Sequence, residues 1–172
     1  MRSNKRYSNV TFTKRVDYDG GAHRPARAAK GALVCKKCGA VYTKRRWVLG
    51  SEYSAYLARG SARPAVCPAC DMQAKGQVGG YLRLEGAFVN PHRAELERLL
   101  KREAGRAAED NPLGRILRLE HDPAGALTVA TTTEHLVERL GRAVHRAFGG
   151  SIDFGFSHND KFARATWRRD EG

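Results

Sequence analysis

Residues 127–156, LTVATTTEHLVERLGRAVHRAFGGSIDFGF, decide the fold of the larger part of this 172-residue chain. Leu127-Thr128-Val129-Ala130 reads as a strand. Thr131, with Glu134 three residues on, has the capping-box spacing that opens a helix. Leu136, Val137, Leu140, Val144, Ala147 and Phe148 then share one face at helical spacing. Gly149-Gly150 supplies the stop, since glycine accepts the left-handed conformation that ends helices. Ile152, Phe154 and Phe156 resume a period of two.

Working outward, Asp122-Pro123-Ala124-Gly125 has turn chemistry, and Arg115 to His121 (RILRLEH) reads as the other strand of a hairpin. Asn90-Pro91 predicts a helix with proline at its first position, and Leu96, Leu99, Leu100, Ala104 and Ala107 form its apolar face. Tyr81-Leu82-Arg83-Leu84 reads as a strand, extended by Phe88-Val89 beyond Gly86. At the other end, His158-Asn159-Asp160 makes a turn before a last strand, Phe162 to Trp167. The order β-α-β-β-α-β-β over residues 81–172 predicts an α+β sandwich, a mostly antiparallel sheet with both helices on one face. It is ferredoxin-like, β-α-β-β-α-β(-β), if one terminal strand is an extension.

Upstream, over residues 31–80, the pattern changes. All four cysteines lie in two pairs, Cys35-Lys36-Lys37-Cys38 and Cys67-Pro68-Ala69-Cys70. Each pair can place two thiolates on one side of a tight turn. Two such knuckles facing each other give four sulfur ligands around a tetrahedral Zn²⁺, a closed structural site with no position open to substrate. An iron–sulfur cluster and redox or disulfide use are the alternatives. The usual cluster spacings are absent, and a thioredoxin-like motif would be one pair rather than two. The N-terminal stretch has no apolar h-region, and no segment approaches a membrane span. A cytoplasmic location, where disulfides are rare, is therefore expected, with no membrane partner. Residues 31–80 thus read as a small zinc ribbon with an inserted segment, in which Ser51 to Arg59 (SEYSAYLAR) forms a short helix.

The chain carries a net charge of +13, unevenly spread. Residues 1–30 hold 8 Lys/Arg against 2 Asp/Glu, residues 31–80 again 8 against 2, and residues 81–172 hold 15 against 14. A solvated surface explains the mixed C-terminal part but not a segment with four acids in 80 residues. Such an excess favours a polyanion, above all nucleic acid. Residues 1–30 interleave cations and aromatics and read as a flexible basic arm, with Arg6, Lys14 and Arg15 as candidate phosphate contacts. Lys36, Lys37, Lys44, Arg45 and Arg46 join them, and Trp47 is a candidate to stack on an unpaired base, or else a small-core aromatic.

No convergent catalytic set is visible. The six histidines are scattered, the helix acids sit at i, i+4 from cations (Glu97 and Lys101, Glu138 and Arg142), and no phosphate-loop or hydrolase motif is present. The expectation is a non-enzymatic zinc protein that binds RNA. Two alternatives are a DNA-binding regulator, which lacks a visible helix-turn-helix, and a protein–protein adaptor for an acidic partner, with the ribbon as a rigid interaction knob. The near-neutral C-terminal domain is a further candidate surface for a protein partner.

The layout CKKCGAVY (35–42), Arg46-Trp47, CPAC (67–70), NPLGRI (111–116) and TTTEHL (131–136) resembles an uncharacterised bacterial zinc-ribbon family. That family is similar to the N-terminal region of the archaeal and eukaryotic large-subunit ribosomal export adaptor. The resemblance spans residues 31–168 and carries Cys35, Cys38, Cys67 and Cys70 over as zinc ligands. It implies association with the ribosome or with structured RNA.

Overall fold

A computed structural model describes residues 31–49, 60, 62–157 and 161–170. The basic arm over residues 1–30, the helix expected at Ser51 to Arg59 and the turn at residues 158–160 lie outside the described residues. Gly31–Gly172 forms one compact unit containing two sheets.

The first sheet is built from three-residue strands: β1 (Leu33–Cys35), β2 (Val41–Thr43), β3 (Arg46–Val48) and β4 (Arg63–Ala65), in the order β3-β2-β1-β4. β1 and β2 form the expected hairpin, with Val34 opposite Val41. β4, which the sequence pattern does not reveal, runs parallel to β1 with Cys35 level with Ala65. That pairing delivers both cysteine pairs to the same end of the sheet. An eight-residue helix, α1 (Pro68–Lys75), follows at once.

The second sheet holds β5 (Gly80–Glu85), β6 (Ile116–His121), β7 (Leu127–Thr131), β8 (Ser151–Ser157) and β9 (Phe162–Arg168), in the order β6-β7-β5-β9-β8. Helices α2 (Arg93–Asp110) and α3 (Glu134–Phe148) complete the expected element order. Leu82, Leu84, Val129, Ala165 and Trp167 of the sheet meet Leu96, Leu100, Leu140 and Val144 of the helices in the largest core cluster. Trp167 is fully buried and donates its indole N–H to the Gly149 carbonyl at 2.7 Å. None of the helices among the described residues is long and apolar enough to cross a membrane.

The strand order differs from the ferredoxin-like expectation. Neither terminal strand is an extension: β8 and β9 pair along their full length, and β9 lies between β8 and β5. The β5–β9 pair is parallel, so the sheet is mixed rather than antiparallel. The extra strand causes this, because β8 follows α3 at the sheet edge and β9, antiparallel to β8, takes the place alongside β5.

Three local readings shift as well. Phe88 and Val89 are buried but do not extend β5. Gly86 at φ 106° turns the chain, and the Val89 N–H donates to the Gly86 carbonyl. Helix α2 starts at Arg93, past Asn90-Pro91, with His92 as a cap that makes no side-chain hydrogen bond. The cap of α3 is Thr133, whose hydroxyl accepts from the Leu136 N–H. Thr131 instead ends β7 and donates to the Thr133 carbonyl. Three consecutive threonines all have capping chemistry, and sheet register decides which of them caps.

Candidate metal centre

The Sγ atoms of Cys35, Cys38, Cys67 and Cys70 lie within 4.8 Å of one another. All four thiols are free, and the Cys38 and Cys67 sulfurs are 3.6 Å apart, well beyond the roughly 2.05 Å of a disulfide. A tetrahedron of sulfurs about 2.3 Å from a central ion has edges of about 3.8 Å, so the cluster has the dimensions of a four-thiolate metal site. Among the described residues it is the one group of three or more ligating side chains so arranged.

The two knuckles are made differently. The first is the β1–β2 turn, closed by the Cys35 N–H on the Ala40 carbonyl and the Gly39 N–H on the Cys35 carbonyl, with Gly39 at φ 73° as its position requires. The second is a helix start rather than a turn. Cys67 is the N-cap of α1, Pro68 occupies the first turn, and the Cys70 N–H donates to the Cys67 sulfur at 3.4 Å. The Cys67 N–H donates in turn to the Cys35 sulfur at 3.3 Å. Amide donors aimed at sulfur suit thiolates better than thiols.

Electrostatics argue the same way. Burial alone would raise the Cys35 thiol, but the backbone N–H groups around it outweigh that and lower it to about 6. Burial pushes the Cys67 and Cys70 thiols up, and for Cys67 the nearby Cys38 sulfur adds to the rise. Four sulfurs this close cannot all ionise without a cation among them, and a bound metal ion meets that need by deprotonating its thiols.

One cation reaches the cluster from outside the ribbon. Arg115, immediately before β6, donates through Nη2 to the Cys38 sulfur at 3.0 Å and through Nη1 to the Cys70 sulfur at 3.4 Å. Burial would lower its guanidinium, but the Cys38 sulfur holds it above its usual value. Thr132, after β7, positions this segment: its hydroxyl donates to the Leu113 carbonyl at 2.5 Å and accepts from the Arg115 N–H at 2.8 Å. Leu113 belongs to the same buried apolar cluster as Cys35, Tyr42, Trp47 and Cys70 of the ribbon. The sequence reading missed Arg115 and Leu113, because a cation at the start of a strand looks like any solvated one. The helix at Cys67 had a legible signal in Pro68 at its first position, Asp71 in its first turn and Gly76 beyond its end.

The cationic candidates among the described residues lie in the ribbon's two turns and at the start of β3. Lys36 and Lys37 are exposed within the first knuckle. Lys44 and Arg45 are the two central residues of the β2–β3 hairpin, at φ 46° and 66°, and both are exposed, as is Arg46. Trp47 is different. It is 6% exposed and packs on Tyr42 with ring centroids 5.5 Å apart, so its ring belongs to the ribbon core and offers no face to a base. A unit this small has few other apolar side chains to bury. Its indole N–H has no partner among the described residues. Arg6, Lys14 and Arg15 lie outside the described residues. Of the histidines, His121 pairs with Glu97 at 3.0 Å and His92 stacks on Phe88, both local roles.

Comparison with protein-family models, with curated proteins and with solved structures finds no match. The functional reading therefore rests on the site itself.

Proposed function

We propose that this protein is a non-enzymatic, zinc-containing RNA-binding protein whose expected partner is the large ribosomal subunit or its RNA. Zinc is favoured because four thiolates in a closed set suit a structural Zn²⁺ and leave no ligand position for a substrate. The observation that carries RNA binding is the disposition of cations. Lys36 and Lys37 project from the metal-held turn, and Lys44, Arg45 and Arg46 from the adjoining hairpin, all exposed. A rigid turn presenting cations can place them against phosphates at low entropic cost.

The hairpin tip adds a second argument. A two-residue turn with both φ values positive favours Asn-Gly, and a residue with a Cβ costs about 1–2 kcal/mol at such a position. This chain holds Lys-Arg there. Strain tolerated at an exposed cationic turn is what a binding role would maintain.

Elemental analysis of the purified chain should find one zinc per molecule. Cosedimentation with ribosomal subunits and titration with structured RNA, each over a salt series, should show affinity falling steeply as salt rises. Absence of ribosome association together with absence of micromolar RNA affinity at low salt would remove this reading.

A further inference from the structure

The second sheet has one face under α2 and α3 and another that the helices leave bare. Strand alternation puts Leu82, Leu84, Ala163, Ala165 and Trp167 beneath the helices and turns Tyr81, Phe162 and Arg164 the other way. On that outer face Arg118, Glu120, Gly155, Arg164, Thr166 and Arg168 are exposed, so no described element covers it.

The face has two unlike halves. Toward the ends of β5 and β9 the cations are matched: Arg83 pairs with Glu85 and Asp122, and Arg168 with Asp170. Toward their beginnings, register aligns Arg118, Ala130, Tyr81, Arg164 and Gly155 across the sheet, a row without a carboxylate. Tyr81 and Phe162 stand there on neighbouring parallel strands, part-exposed, with ring centroids 5.8 Å apart and planes at 63°. Arg164 lies over the Phe162 ring at 5.4 Å and makes no ion pair among the described residues. Arg118, which also pairs with Glu120, reaches the Tyr81 hydroxyl at 3.5 Å. Gly155, Phe156, Ser157, Phe162 and Arg164 border an open concavity of about 520 Å³, within the range of small-ligand sites. Because β6 begins just after Arg115, this half is also the sheet end nearest the cysteines.

We infer that this half-face, with Tyr81 and Phe162 as stacking rings and Arg164 and Arg118 as phosphate contacts, binds unpaired bases of single-stranded RNA. Aromatic rings on an open sheet give bases a flat apolar surface, and flanking arginines satisfy the backbone between them. A protein partner is disfavoured because the patch is small and cationic, with Arg164 over the Phe162 ring and Arg118 at the Tyr81 hydroxyl. The inference rests on the RNA reading above and gives it a second surface, for unpaired segments, beside the ribbon's cations.

The test uses the full chain with zinc bound and two probes, a 12-nucleotide single-stranded RNA and a blunt-ended RNA duplex, read by fluorescence anisotropy at low salt. Replacing both rings (Tyr81→Leu with Phe162→Leu) should weaken single-strand binding by 10-fold or more, and duplex binding less. Photocrosslinking the unaltered protein to a 4-thiouridine version of the single strand should mark Tyr81 or Phe162, and this needs no variant to fold. Equal weakening of both probes, no weakening, or crosslinks confined to residues 36–47 would overturn the inference and leave the RNA reading standing. Tighter binding of the same sequence as single-stranded DNA would overturn the RNA assignment. Failure of the unaltered protein to bind either RNA would overturn both readings and leave the face to a protein partner.

Discussion

The ribbon and the sandwich hold themselves together by different means. In residues 31–75 every described strand is three residues long, and the core is Cys35, Cys67 and Cys70 with a few apolar neighbours, Tyr42, Trp47 and Ala69 among them, joined by Leu113 from outside the ribbon. In residues 80–168 the strands are five to seven residues long, and an extensive apolar cluster built around Leu82, Leu140 and Trp167 fills the space between sheet and helices. The second region can be stabilised by burial alone. The first buries far less apolar surface, and in the proposed reading metal binding supplies what offsets the conformational entropy of ordering it. Arg115 and Leu113 join the two, so the sheet supplies part of the metal centre's surroundings.

The largest expected effect separates the two regions. Structural zinc contributes on the order of 10 kcal/mol to the folding of a small four-cysteine unit. A strong chelator, or Cys67→Ser, should abolish ordered structure in the ribbon while the sandwich keeps its helical circular dichroism and cooperative melting. Hydrogen exchange would show loss of protection over residues 33–75 and retention over residues 82–167. Simultaneous loss in both regions would mean that the sandwich, too, depends on the metal.

The converse substitution lies in the sandwich. Leu140 is fully buried on α3, and Leu140→Ala should destabilise the protein by about 2–5 kcal/mol in chemical denaturation. Metal content should be unchanged under native conditions. Zinc loss in the still-folded variant would show that the sandwich core governs the ribbon.

These two regions were not equally legible in the sequence. Long periodic segments announce themselves: the apolar stripe from Leu136 to Val144 and the alternation at Ile152, Phe154 and Phe156 mark α3 and β8 without ambiguity. Three-residue strands do not, and β4 passes unnoticed because Arg63-Pro64-Ala65 has no strand period to detect. The four cysteines were legible because ligand spacing is local. Arg115 was not, because it meets Cys38 across 77 positions of sequence. The parallel placement of β9 against β5 was equally hidden, since periodicity reports that a strand exists and not which neighbour it takes.

Arg115 is where the comparison can be sharpened. Groups that hydrogen-bond metal ligands from outside the coordination sphere typically change metal affinity 10- to 100-fold when removed. Arg115→Gln should therefore weaken zinc binding by that factor in a competition titration, leaving the sandwich's melting transition in place. Full retention of affinity would reduce the Nη contacts at 3.0 and 3.4 Å to incidental packing.

The smallest effect lies at the β2–β3 hairpin, where stability and function are expected to move in opposite directions. Lys44 and Arg45 both occupy the left-handed region, and each carries a Cβ that this conformation disfavours. Lys44→Asn with Arg45→Gly installs the pair that such a turn prefers and should stabilise the ribbon by about 1–2 kcal/mol, part of the relieved strain being offset by the added freedom of glycine in the unfolded chain. The same change removes two exposed positive charges next to the metal knuckle. If those charges meet phosphates, RNA affinity should fall and the dependence of log K on log salt should become shallower by about 1.4, or roughly 0.7 per lost contact for a single strand. Stabilisation with unchanged binding would leave the Lys-Arg turn without the role proposed for it, and would shift the weight of recognition to Lys36 and Lys37 within the knuckle.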